Sequence, residues 1–153
     1  MTLRVKDQPD TVVELRARAL RLLARREHSR QELERKLSPH AESAEVLQVL
    51  FSELKSKKQL SEERFAEERA RWLSRKYGAA KIRHDLKSKG VDAAIIERLA
   101  IEGELERARA ILERKYREPA ATRQERARRM RFLQSRGFSS EIIFSLLSAR
   151  RED

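Results

Sequence analysis

The 153-residue sequence predicts an all-α protein, an elongated, curved array of three tandem three-helix repeats with about nine helices. Three observations lead there. Helix formers dominate, while four Gly and three Pro leave little room for sheet turns. Apolar residues make up 39% and charged residues 40%, against roughly 45–50% and about 25% in ordinary globular domains, too little apolar material for one thick core. Segments also recur. Leu73-Ser74-Arg75-Lys76-Tyr77 matches Leu112-Glu113-Arg114-Lys115-Tyr116 at four of five positions, and Lys89-Gly90-Val91 with Ile95, Ile96 and Leu99 returns as Arg136-Gly137-Phe138 with Ile142, Ile143 and Leu146.

Residues 1–10 are expected to be a flexible N-terminus. In the first unit (11–59), Thr11 and Glu14 form a capping box for a helix to Arg26, with Val12, Leu15, Ala19, Leu22 and Leu23 inside. A second box, Ser29 to Glu32, opens a short helix that buries Leu33 and Leu37 before Ser38-Pro39-His40 interrupts. A third helix, from Ala41 to Lys57, turns Val46, Leu47, Leu50, Phe51 and Leu54 inward. In the second unit (60–101), Ser61 caps a helix to Lys76 with Ala66, Ala70, Leu73 and Tyr77 on its centre line and Phe65 and Trp72 on the shoulder. Gly78 is expected to end it in the left-handed conformation. A helix from Ala79 to Lys89 buries Ile82 and Leu86, and Asp92 caps another to Ala100. The third unit (102–153) repeats the plan, with helices from Glu102 to Tyr116, from a box at Thr122/Glu125 to Arg136, and from the cap Ser139 onward. Met130 and Leu133 face inward on the middle one. Each unit, at about 40–50 residues, is near the lower size limit for folding alone, so neighbours should lean on one another.

A net charge of +11 bears on partners: nucleic acid, a protein seated on nucleic acid, or a membrane surface. No apolar run approaches the roughly 20 residues of a spanning helix, and Met1–Asp7 lacks a signal-peptide core. Without Cys there are no disulfides, thiolate metal sites or cysteine nucleophiles, and the cytoplasm is the expected compartment.

Convergent chemistry is scarce. His28, His40 and His84 lie far apart and outside any metal motif, and no Gly-rich loop could cradle a phosphate. Glu62-Glu63, Glu67-Glu68 and Glu102/Glu104 sit among Arg and Lys, as solvated helical faces do. No enzyme, metal or cofactor is expected. Trp72, Tyr77 and Tyr116 could stack on bases, but their repeat positions suggest core plugs, with the tyrosine hydroxyls at the rim. The cations say more: Gly103 to Arg136 holds eleven Lys/Arg against five Glu. Arg128 and Arg131 project from the middle helix of the last unit, Lys81 and Lys87 from that of the central unit, and Arg71 and Arg75 line the helix before it. Any one of these could simply cover apolar neighbours with its stem; pooled, they fit contact with a polyanion or an acidic protein.

Leu22-Leu23-Ala24-Arg25-Arg26-Glu27-His28-Ser29-Arg30-Gln31-Glu32-Leu33 resembles the opening signature of the bacterial RecX family. Leu60-Ser61-Glu62-Glu63-Arg64-Phe65-Ala66, then Tyr77-Gly78-Ala79-Ala80-Lys81-Ile82-Arg83-His84-Asp85-Leu86, and Arg131-Phe132-Leu133-Gln134-Ser135-Arg136-Gly137-Phe138 are similar to later blocks, in the family's order. Ala79 stands where many members carry Pro. The resemblance implies a modulator of the RecA recombinase with three tandem three-helix repeats. It implies binding to the RecA–DNA filament along its helical groove, inhibition of RecA ATPase, strand exchange and co-protease activity, and an influence on recombination, DNA repair and the SOS response. It also implies binding to single- and double-stranded DNA, with no enzymatic activity and no cofactor. The expected species is a monomer that does not engage membranes. Its candidate contacts are Arg71, Arg75, Lys81 and Lys87 in the central unit and Arg128, Arg131 and Arg136 in the last. The rival is a direct DNA-binding regulator of helix-turn-helix type, against which stands the spread of cations over at least two units.

Overall fold

The structure, a computed structural model, describes residues 8–148; residues 1–7 of the expected flexible segment and 149–153 of the third unit lie outside the described residues. Among the described residues there are nine α-helices and no strand. They are α1 (Val12–Arg25), α2 (Arg30–Leu37), α3 (Ala44–Ser56), α4 (Glu62–Leu73), α5 (Ala79–Ser88), α6 (Ala93–Arg98), α7 (Glu104–Lys115), α8 (Arg123–Ser135) and α9 (Ser140–Ser148), with a 3-10 turn at Ser38–His40.

Most helices begin where a side chain takes up a free N-terminal amide. Thr11/Glu14 and Ser29/Glu32 close reciprocal boxes on α1 and α2. Ser61, Asp92 and Ser139 accept from the amides of Arg64, Ala94 and Ile142. At α8, Thr122 accepts from the Glu125 amide as expected, but the Glu125 carboxylate reaches past Thr122 to Ala121 N, so the box is open. Asp10 is tied down: its N–H donates to His40 O and its carboxylate accepts from Arg18.

Other boundaries differ from expectation. Ser43 starts α3 three residues later than Ala41. α4 stops at Leu73, short of Lys76, and Gly78 is no left-handed stop: its φ of −84° is ordinary extended backbone at the N-cap of α5. Gly90 (φ 82°) and Gly137 (φ 89°) take the left-handed conformation instead, just past the ends of α5 and α8. After α2 the same place is held by Pro39 in the 3-10 turn.

The closest helix contacts run within the triplets α1–α3, α4–α6 and α7–α9, and each triplet has its own core. The first is built on Leu15, Leu33, Leu37 and Leu54, the second on Phe65, Ala66, Ile82 and Leu86, the third on Ala108, Leu112, Leu133 and Ile143. The three cores share no residue, so the apolar interior is divided among the triplets. Tyr77 and Tyr116 are half-buried against the second and third cores. Val12 and Met130, which periodicity places inside, and Trp72, which its repeat position suggests as a core plug, are outside: Val12 is 53% exposed, Trp72 59% and Met130 39%. On α8 the inward place falls to Arg129, 6% exposed. Arg129 stands as far before Gly137 as Ile82 stands before Gly90, so a guanidinium occupies a core position of the repeat.

Candidate functional site

The repeats are joined by one rule, applied twice. The first amide of α2, Arg30 N, donates to Glu62 Oε1 at 2.6 Å, and the first amide of α5, Ala79 N, donates to Glu104 Oε1 at 2.7 Å. In each case the carboxylate is the first residue of the next repeat's leading helix. Burial raises the pKa of Glu62, against the pull of the Arg30 amide. Glycine allows the close approach: a Cβ on Gly90 would overlap Gln31, and one on Gly137 would overlap Lys81.

The second junction carries more. Gly78 N donates to Arg136 O at 2.7 Å, and Lys81 Nζ donates to Ser135 O at 3.1 Å. Arg107 reaches back from α7 to Ser74 O (3.2 Å) and Tyr77 O (2.8 Å), taking up carbonyls left free where α4 ends. Burial lowers the pKa of Arg107, and Arg114 donates to Arg75 O.

Over this junction runs an alternating row of cations and rings. Lys81 Nζ lies 5.0 Å from the centre of Tyr77, and Arg136 lies 5.5 Å from Tyr77 and 5.2 Å from Phe132. Lys115 Nζ lies 4.7 Å from Phe132 and 5.9 Å from Tyr116, and Arg129 lies 4.6 Å from Tyr116. The ion pairs among the described residues, such as Arg26–Glu32 and Arg69–Asp85, involve none of these four cations. Rings attract cations through their negative faces and do not cancel the charge; Arg129 is enclosed in the third core beside Glu125, so the positive potential the strip presents outward comes from Lys81, Lys115 and Arg136.

Two grooves flank it. One of about 530 Å³ is lined by Trp72, Arg75, Lys76, Lys81 and His84, the other, of about 280 Å³, by Arg75, Lys76, Arg114, Lys115 and Arg136. Arg75 and Lys76 form the ridge between them. The structure thus brings Arg75, Lys81 and Arg136 together. Arg71 lines a separate groove with Arg98 and Glu102. Lys87, on α5, and Arg128 and Arg131, on α8, are exposed and stand apart from the strip.

Periodicity missed Lys76, Arg114, Lys115 and Arg129. A signal for three of them was present: the repeated Arg-Lys-Tyr of Leu73–Tyr77 and Leu112–Tyr116 places Arg75/Arg114 and Lys76/Lys115 in equivalent positions. Among the described residues no three His, Asp or Glu side chains converge as metal ligands, and no helix is long and apolar enough to cross a membrane.

Residues 16–50, 61–99 and 102–147 match the first, second and third three-helix domains of RecX. The chain belongs to the RecX family. It is 41% identical over 138 residues to the regulatory protein RecX of Herbaspirillum seropedicae, covering 88% of this chain and 90% of that one. It is 38% identical over 135 residues to that of Neisseria gonorrhoeae, covering 87% and 88%. In fold it is similar to the crystal structure of RecX from Lactobacillus salivarius, with a TM-score of 0.80 at 20% identity over 93% of this chain and 97% of that one. RecX relatives are regulatory proteins, and the three-domain match agrees with the triplets seen here.

Proposed function

We propose that the chain binds the RecA–DNA filament in its helical groove and inhibits RecA ATPase, strand exchange and co-protease activity. It acts as a monomer, without catalysis, in the cytoplasm. The observation that carries this reading is the cation–ring strip across the second junction: its Lys81, Lys115 and Arg136 enter none of the ion pairs among the described residues and are shared by two repeats of a RecX-family chain. An extended array can lie along a helical polymer and meet successive subunits, so that several weak contacts add through effective concentration. The outward cations Arg71, Lys87, Arg128 and Arg131 supply further contacts to DNA or to acidic filament surface.

The test is titration into RecA–single-stranded DNA filaments, following ATP hydrolysis and filament length together. Hydrolysis should fall, and inhibition should weaken with salt, each neutralised phosphate adding about 0.9 to the log–log slope. Lys76→Glu, and separately Arg128→Glu with Arg131→Glu, should weaken inhibition at unchanged helicity. Full inhibition by the α8 double variant would remove that face from the contact surface; no effect of the unaltered chain on hydrolysis would end the RecA reading.

A further inference from the structure

We infer that Trp72 is a stacking seat for an unpaired nucleobase, which makes the groove beside it selective for single-stranded over duplex nucleic acid. The inference rests on the strip facing a polyanion and adds the strand state of that polyanion.

Trp72 is the one Trp of the chain and is 59% exposed on α4. It is not loosely held. The Arg69 guanidinium stands 5.2 Å from its ring centre, and Asp85 grips that guanidinium at both ends, with Arg69 Nε 2.9 Å from Oδ1 and Nη2 3.1 Å from Oδ2. A paired fork of this kind fixes a plane as well as a position. Asp85 neutralises Arg69, which leaves it the task of backing the indole. Further along the same groove lie Arg75, Lys76 and Lys81, which enter none of the ion pairs among the described residues.

A nucleotide needs those two features side by side: an aromatic face for the base and cations for the phosphate. In a duplex both faces of each base are covered by neighbouring pairs, so duplex could use the cations but not the indole. A partner protein could offer the indole an apolar side chain, but the other charged lining of the groove is cationic once Arg69 and Asp85 are paired, which favours the polyanion.

Since Trp72 alone reports, its fluorescence reads the site directly. The full chain, without RecA, is titrated with oligodeoxythymidylate and, separately, with a hairpin duplex of equal charge. Single strand should quench the emission. Trp72→Ala should lose about 5- to 160-fold in single-strand affinity, the range expected for one stacked base, with duplex affinity unchanged, and Trp72→Phe should recover part of the loss. Helicity should not change, because the indole is outside the core. Single-strand binding without an emission change, or equal losses for both nucleic acids in Trp72→Ala, would overturn the inference. So would quenching by DNA-free RecA alone, which would make the indole a protein contact. As the two nucleic-acid titrations contain no RecA, they can fail while ATPase inhibition holds, or succeed while inhibition fails.

Discussion

Glu104 caps a helix that belongs to the preceding repeat: its Oε1 accepts from Ala79 N at 2.7 Å, as Glu62 does from Arg30 N. α5 has only Gly78 at its own N-cap, with no side chain to offer, so the next unit provides the acceptor. Glu104→Ala should therefore lower stability by about 1 kcal/mol, the usual worth of a cap. The loss would appear as a lower melting temperature; an unchanged one would mean the contact adds nothing.

Gly78→Ala should be worse, though its φ suits any residue. The added Cβ would overlap the Gly137 carbonyl across the junction. Overpacking of this kind costs roughly 1–3 kcal/mol, read as a lower urea midpoint. Gly103 is the contrasting case: at φ 67° an added Cβ would make only an ordinary contact with Glu106 Oε2, so Gly103→Ala carries only the left-handed penalty of about 1–2 kcal/mol, and the junction stays closed.

Arg129→Ile should stabilise the third unit. Arg129 Nε and Nη1 are buried without a partner, and an unsatisfied buried polar group costs about 1–3 kcal/mol. Ile restores the residue type of position 82, at the loss of the Tyr116 contact. Slower amide exchange in α7–α9, with α1–α3 unaltered, is the expected result. Faster exchange there would show that the guanidinium holds the core together.

The first unit should respond to acid in two steps. Burial lowers the pKa of His28, whose Nδ1–H donates to Arg26 O while Nε2 accepts from Lys36. Its contribution is present above the ordinary His value of 6.5 and is lost as pH falls below it, because the unfolded chain takes the proton first. Glu32 is pushed up by burial but pulled further down by Arg26 and the Ser29 amide, from 4.5 to about 2. Its contribution is lost between those values. Urea midpoints at descending pH should thus show a first decline that His28→Gln removes and a second that it leaves.

The caps and most core stripes were legible in the sequence because each is a local pattern: Thr11 with Glu14, Ser29 with Glu32, Leu33 with Leu37. What depended on a neighbouring repeat was not. α4 ends early with its carbonyls drawn to Arg107, thirty residues on, and Gly78 needs room for Gly137, which periodicity cannot express. The repeat position of Trp72 suggests a core plug, yet Phe65 and Leu73 already fill that side of α4. Of the seven candidate cations the strip holds Lys81 and Arg136, with Arg75 on the ridge beside it; the other four share its charge but not its place, since helical phase does not say which face a neighbouring unit will adjoin.

The joining rule has a consequence at the chain's beginning. α1 opens with Val12 where α4 and α7 open with Glu62 and Glu104, and Pro39 follows α2 where a glycine follows α5 and α8. A second molecule brought up behind the first would find neither the acid nor the gap it needs to dock. The joining rule is thereby confined to contacts inside one chain, where it acts twice.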